Sequence, residues 1–210
     1  MAARRVAGGT SEPDPAEPPA ARVREAVAAG ARVGDQQRSA SSTRTRSGGR
    51  SVGAHLEALA IDGVRVLHDR RPPGRTGAFD HVAIGPSGVY VVVIRRYKGA
   101  IEVRDKGGRH TRDEHLYVGG RDRSRLVTSL VERRDRVANV LHRTHPGVRV
   151  TPVLCFVDPE ESTATTSFRL RGVTVTWAKA LQRLVASPGP LDPDEVDEIT
   201  QLLAVRLPPA

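Results

Sequence analysis

Cysteine occurs once in the 210 residues, at position 155, which excludes an intramolecular disulfide and any cysteine-rich zinc site. It lies in the apolar run Val153-Leu154-Cys155-Phe156-Val157 and reads as a small buried hydrophobe rather than a nucleophile. Aromatic residues make up only 3% of the chain, which counts against a single-strand binder built on stacking platforms. Long apolar runs are also missing. The longest, Val89 to Ile94, falls far short of the ~18 residues that a membrane span requires, so no membrane association is expected. Arg4-Arg5 is followed by Ser11-Glu12-Pro13-Asp14-Pro15, where a twin-arginine signal would need an apolar segment. The expectation is a soluble, cytoplasmic protein.

Lysine is scarce too. Of 33 basic residues only Lys98, Lys106 and Lys179 are lysines, so the formal charge of +9 is carried by arginine. Such a balance favours anionic partners, phosphate backbones above all. A GC-rich coding sequence would enrich arginine equally, and both origins stay open on charge alone.

Residues 1–46 contain no Ile, Leu, Phe, Trp or Tyr and are rich in Ala, Arg, Pro, Gly and Ser. Such a segment cannot bury enough surface to offset ordering entropy, so it is expected to be a disordered arm. Within it, Ala20 to Val33 has the composition of an unstable helix that a protein partner would order. Residues 47–210 then form one domain of ordinary size.

In that domain Val52, Leu56, Leu59 and Ala60 recur at helical spacing up to Asp62-Gly63. Residues 64–67, 78–84, 88–95 and 101–103 read as strands of an antiparallel meander, with Gly85-Pro86-Ser87-Gly88 as a tight turn. Ser124 to His142 is one amphipathic helix, and residues 148–157 form the most apolar and therefore central strand. A strand over 172–177 and a short helix over 178–186 follow. The helix over 192–206 announces itself by Asp192-Pro193-Asp194-Glu195, with Asp as N-cap, Pro at the first helical position and Glu three residues past the cap. The pattern is α/β with a mixed sheet.

The chemistry concentrates on the hairpin. A two-residue Pro86-Ser87 loop pairs 85 with 88, 84 with 89, and so on to Asp80 opposite Val93. Directly opposed residues share a face, and alternation by two adds Arg95 to it. Carboxylates at 80 and 93 with a lysine at 95 would make a two-acid magnesium site beside an attacked phosphate.

Taken together, Val66-Leu67-His68-Asp69, the block Asp80-His81 through Gly85-Pro86-Ser87-Gly88-Val89-Tyr90, the exit Tyr97-Lys98-Gly99, and the later stretches Val153 to Asp158 and Gly172 to Val175 resemble the NERD (nuclease-related domain) family. The likeness covers about residues 48–185. It implies a restriction-endonuclease-like mixed sheet with an antiparallel hairpin core flanked by helices. It also implies an aspartate and an acid-x-lysine triplet on the hairpin and a glutamate on the first helix. Asp80 matches, but the triplet reads Val93-Ile94-Arg95, Gly49 stands at the helix glutamate position, and Arg133 takes the place of a glutamine on the long helix.

Replacing a carboxylate by valine removes charge and chelation together, and Arg95 should pair with Asp80 in the electrostatic role of the metal. The expected site is thus a remnant: Asp80, with Val93 and Arg95 at the family's acid and lysine positions, no metal and no cofactor. Arg95, Arg96, Lys98, Arg121 and Arg133 are the candidate nucleic-acid contacts. The clusters Arg121 to Arg125 and Arg133 to Arg136 either line a phosphate groove or form salt-bridged surface. His110 and His115 with Asp113-Glu114, and His142 with His145, read as surface histidines, and Trp177 as core.

Three functions compete. One is a catalytically inactive nuclease-related domain that keeps weak, sequence-independent contact with DNA or a contact with protein. Another is an active Mg²⁺-dependent DNA nuclease that recruits Glu57, Asp69 or Glu102 beside Asp80. The third is a scaffold that works through its N-terminal arm without nucleic acid.

Overall fold

The computed structural model describes residues 52–71, 78–109, 111–157 and 166–210. The arm expected over residues 1–46, Gly49, His110 and Asp158 lie outside the described residues.

Residues 52–57 form helix α1, which tightens into a 3₁₀ turn at Ala58–Asp62 and stops at Gly63 with φ of 76°. The left-handed conformation there suits glycine, which has no Cβ to clash. The strands β1 (Arg65–Arg70), β2 (Phe79–Gly85) and β3 (Gly88–Arg95) follow, then β4 (Ile101–Asp105), β5 (Glu114–Val118) and β6 (Arg121–Asp122). Helix α2 (Ser124–Leu141) leads to β7 (Val150–Phe156), β8 (Phe168–Leu170) and β9 (Val173–Trp177), and α3 (Ala178–Val185) and α4 (Pro193–Arg206) complete the chain.

A six-stranded sheet in the order β1-β2-β3-β7-β9-β8 organises these elements. β1, β2 and β3 form an antiparallel meander, β3-β7 and β7-β9 are parallel, and β8 returns antiparallel, so the sheet is mixed. The apolar strand expected at the centre is β7, and it sits there. The meander, however, ends at β3. β4 pairs with β5 in a separate three-stranded sheet with β6, and neither β5, β6 nor β8 was anticipated. The free edge of β3 goes to β7, whose last five residues are buried, whereas β4 buries only Ile101. Apolar burial decides which strand takes a central edge, at about 25 cal/mol per Å².

Alternation along the strands divides the core. Val82, Ile84, Val89, Val91 and Val93 face α2 and α4 with Val127, Leu130, Val137, Ile199 and Leu203. Ala83, Tyr90, Val92 and Ile94 face α1 and α3 with Val52, Leu56, Leu181 and Val185. The hairpin block from Val82 to Ile94 is buried throughout except Pro86 and Ser87 of the turn. That pattern explains a nearly unbroken apolar run in which both faces are covered by helices.

Asp192 accepts the Glu195 amide at 2.8 Å, and the Glu195 carboxylate takes the Asp192 amide at 3.0 Å, so the expected cap at the start of α4 is complete. Asp192→Ala is expected to lower stability by about 1 kcal/mol. A urea titration that shows an unchanged midpoint would contradict it.

Candidate functional site

The hairpin pairs in the expected register, from Gly85 opposite Gly88 to His81 opposite Val92. One rung further the ladder changes character. The Ile94 amide, on the side of β3 that faces β2, donates to Oδ2 of Asp80 at 2.7 Å. A side-chain carboxylate thus takes the place of a strand carbonyl, satisfying a backbone donor that burial would otherwise strand. The same oxygen accepts from Nη1 of Arg95 at 3.0 Å, and this nitrogen also donates to the Ile94 carbonyl at 2.6 Å. Asp80 and Arg95 are both half-buried, and Val93 is 4% exposed between the strand and α2.

Arg133 reaches this place from α2, donating through Nη1 to the Ala78 carbonyl at 3.0 Å, just before β2 begins. Burial pushes its guanidinium below the usual arginine range; Asp80 opposes that shift, and the like charges of Arg95 and Arg136 add to it. The structure therefore brings Asp80 and Arg95 into contact and sets Arg133 near them. It does not add the remaining candidates. Arg96 and Lys98 lie on the exit from β3, half-buried and exposed respectively, and Arg121 is exposed on β6 of the small sheet.

The two arginine clusters read from sequence have separate fates. Around residue 121 the acids are engaged: Asp122 binds Lys106 at 3.2 Å and His115 at 3.1 Å, and the Ser124 amide at 2.9 Å. The Ser124 amide is the main reason that the Asp122 carboxyl is held well below the ordinary range. Asp113 takes His115 and Arg171, which makes this region a salt-bridged surface. Arg123 stacks over the Tyr97 ring at 4.7 Å. In the second cluster Arg134 is paired with Asp135 at 2.8 Å, whereas Arg133 reaches the Ala78 carbonyl and lies within range of the Asp80 and Arg95 charges.

Of the acids considered as replacements, Glu57 and Glu102 are engaged elsewhere, whereas Asp69 stands on β1 between the rungs His68–His81 and Arg70–Phe79, across from Asp80. Glu57 binds His68 Nε2 at 2.8 Å, and His68 Nδ1 meets His81 Nδ1 at 2.7 Å. His68 and His81 are opposed in the β1-β2 register, and a Cβ at residue 53 would lie 3.0 Å from the His81 ring, so glycine there lets α1 lie close. Extending the hairpin register back to β1 would have exposed this pair in the sequence. Asp69 is exposed, with φ of 46°, and Glu102 binds Arg104 at 2.8 Å on the other sheet. His145 contacts Thr144 and, at 3.7 Å, Glu198. Trp177 packs half-buried against the core.

These donors do not fit a divalent cation. A hard ion needs several charged oxygens, but position 93 offers a methyl-bearing side chain and one oxygen of Asp80 already serves two N–H donors. Among the described residues no three His, Cys, Asp or Glu side chains converge to hold a metal. None of the described helices is long and apolar enough to cross a membrane.

Arg95→Leu leaves the Asp80 charge with a single donor and is expected to cost about 1–2 kcal/mol. Adding Asp80→Asn, which keeps an acceptor for Ile94 but removes the charge, should recover part of that loss. Strict additivity of the two changes in denaturant unfolding would refute the pairing. Burial pushes the Cys155 thiol up to about 12 from 9.0. A raised thiol contributes stability below about pH 9 that is lost as pH climbs towards 12. Iodoacetamide at pH 8 is thus expected to label Cys155 in guanidinium but not in the native protein; rapid native labelling would contradict its burial.

No curated protein and no solved structure matches the chain. A mixed sheet with an antiparallel hairpin core flanked by helices, and an aspartate on that hairpin, are what the sequence resemblance implied, and the family description of the nuclease-related domain, NERD, matches residues 44–157, more than half of the chain, which places this protein in that family.

Proposed function

We propose that this nuclease-related domain does not hydrolyse phosphodiesters and uses its arginine-rich face for weak, sequence-independent contact with nucleic acid. The observation that carries the reading is the engagement of Asp80: one carboxylate oxygen accepts from the Ile94 amide and from Arg95, beside a valine. In a metal-dependent nuclease the cation both activates water and neutralises charge on the phosphate. Arg95 supplies the second function and not the first, because a guanidinium stays protonated at neutral pH and cannot act as a base. Binding of phosphate can therefore outlast its hydrolysis.

Incubation of plasmid and linear DNA with Mg²⁺ or Mn²⁺, beside an Asp80→Ala control, is expected to give no Asp80-dependent product. Cleavage that Asp80→Ala abolishes would overturn the reading. Binding should be insensitive to sequence and fall roughly tenfold for a fourfold rise in salt if two phosphates are contacted. Affinity that is flat in salt, or confined to one sequence, would remove the phosphate-contact surface from the account.

A further inference from the structure

We infer that the outer edge of β4 is a self-association surface, on which two copies of this chain pair their β4 strands antiparallel about Val103. The inference goes beyond the nucleic-acid reading and does not depend on it.

An edge strand presents unpaired N–H and C=O groups to whatever strand arrives, and folded chains usually cover or interrupt it. In the six-stranded sheet one edge is closed by the chain's own end: Arg70 bridges to Pro209, the Arg71 amide donates to the Pro208 carbonyl, and the Ala210 amide donates to the Asp69 carbonyl. The opposite edge, β8, offers only Phe168–Leu170. In the small sheet β4 pairs with β5, and none of the described strands lies on its other side. Its residues Glu102 to Asp105 are all exposed and include neither proline nor glycine.

The ladder decides which groups point outward. The Lys106 amide donates to the Asp113 carbonyl at 2.8 Å, and the Gly119 amide to the Ala100 carbonyl at 2.9 Å. Hydrogen-bonded pairs of an antiparallel ladder recur at every second residue, so Glu102 and Arg104 also bond to β5. Ile101, Val103 and Asp105 therefore aim their amides and carbonyls at the open edge.

The strand is complementary to itself. When two copies cross at Val103, Glu102 of each stands opposite Arg104 of the other, on the non-hydrogen-bonded rungs where side chains approach most closely. Glu102 already binds Arg104 of its own strand at 2.8 Å, so the crossing closes a ring of alternating charges. Arg104 is fixed on that face beforehand, 4.2 Å over the Tyr117 ring. On the other face Ile101 and Leu116 are buried, whereas Val103 is 41% exposed and would be covered by Val103 of the second copy. At the ends Ile101 meets Asp105 of the second copy, whose carboxylate is retained by the Gly107 and Asp113 amides of its own turn. Edge charges ordinarily oppose strand pairing, but charges that match under a two-fold axis favour this one register and this one partner.

A contact of one short strand is far smaller than the ~1,600 Å² of a stable dimer, so the association is reversible. Sedimentation equilibrium of the full chain, free of nucleic acid, is expected to show a mass rising from 22.6 kDa towards double between about 10 and 500 µM. Glu102→Arg and Arg104→Glu each set like charges opposite one another and should each weaken self-association about tenfold. An equimolar mixture of the two variants should restore it, because every cross-strand pair is then opposite in sign. Val103→Pro removes an amide that β5 does not use, so association is expected to be lost while far-UV circular dichroism stays that of the parent protein. A mass that remains that of one chain at every concentration overturns the inference. So does association that Val103→Pro leaves intact, or a mixture of the charge variants that associates no better than either alone.

Discussion

The register of one hairpin fixes everything that is distinctive here, and its turn is held from several directions. A Cβ on Gly85 would lie 2.5 Å from the Val185 carbonyl, and one on Gly88, where φ is 131°, 2.6 Å from the Arg149 carbonyl. The turn is thus wedged between the end of α3 and the start of β7, and the Leu191 amide caps the Pro86 carbonyl at 3.0 Å. Ser87 and Tyr90 hydroxyls meet at 2.6 Å above the Leu184 carbonyl. A slip by one residue would turn every hairpin side chain to the opposite core, so this turn determines that Asp80, Val93 and Arg95 lie together under α2.

Two-sided burial then separates two polar constellations that adjacent residues would otherwise merge. Asp80 projects to the α2 side with Arg95 and Arg133, and His81, its neighbour, is 6% exposed on the α1 side with His68 and Glu57. The sheet stands between them. Chemistry that needs the imidazoles and the carboxylate on one substrate atom is excluded by strand alternation alone. The histidine pair instead ties α1 to the sheet, with Gly53 allowing the approach.

How much of this was legible follows from where the information resides. The turn residues and the alternation of Val82 to Ile94 specify register locally, so the pairing and the common face of positions 80, 93 and 95 could be read without coordinates. The cap of α4 and the central place of β7 were equally local, one a capping box and the other an apolar run. The small sheet was not legible, because β5 and β6 are short and charged and are held by Asp122, His115 and Lys106 across the sequence. Nor was the destination of β4, since which strand wins the edge of β3 depends on comparing two distant segments. Arg133 could be singled out in sequence, but its proximity to Asp80 required the crossing of α2 over the sheet.

An aspartate at position 80 has a physical role that is independent of catalysis. Where β2 and β3 stop pairing, the Ile94 amide faces an incomplete ladder inside a buried strand, and an unsatisfied buried donor costs about 1–3 kcal/mol. The Asp80 carboxylate fills that vacancy, and Arg95 compensates the charge thereby withdrawn from water. An aspartate at this fork is required by the backbone as much as by any cation. Its presence alone is therefore weak evidence for hydrolysis in this protein. Position 93 is more informative, because its valine serves no backbone group and offers a cation no ligand, whereas Arg95 is tied to Asp80 and to the Ile94 carbonyl.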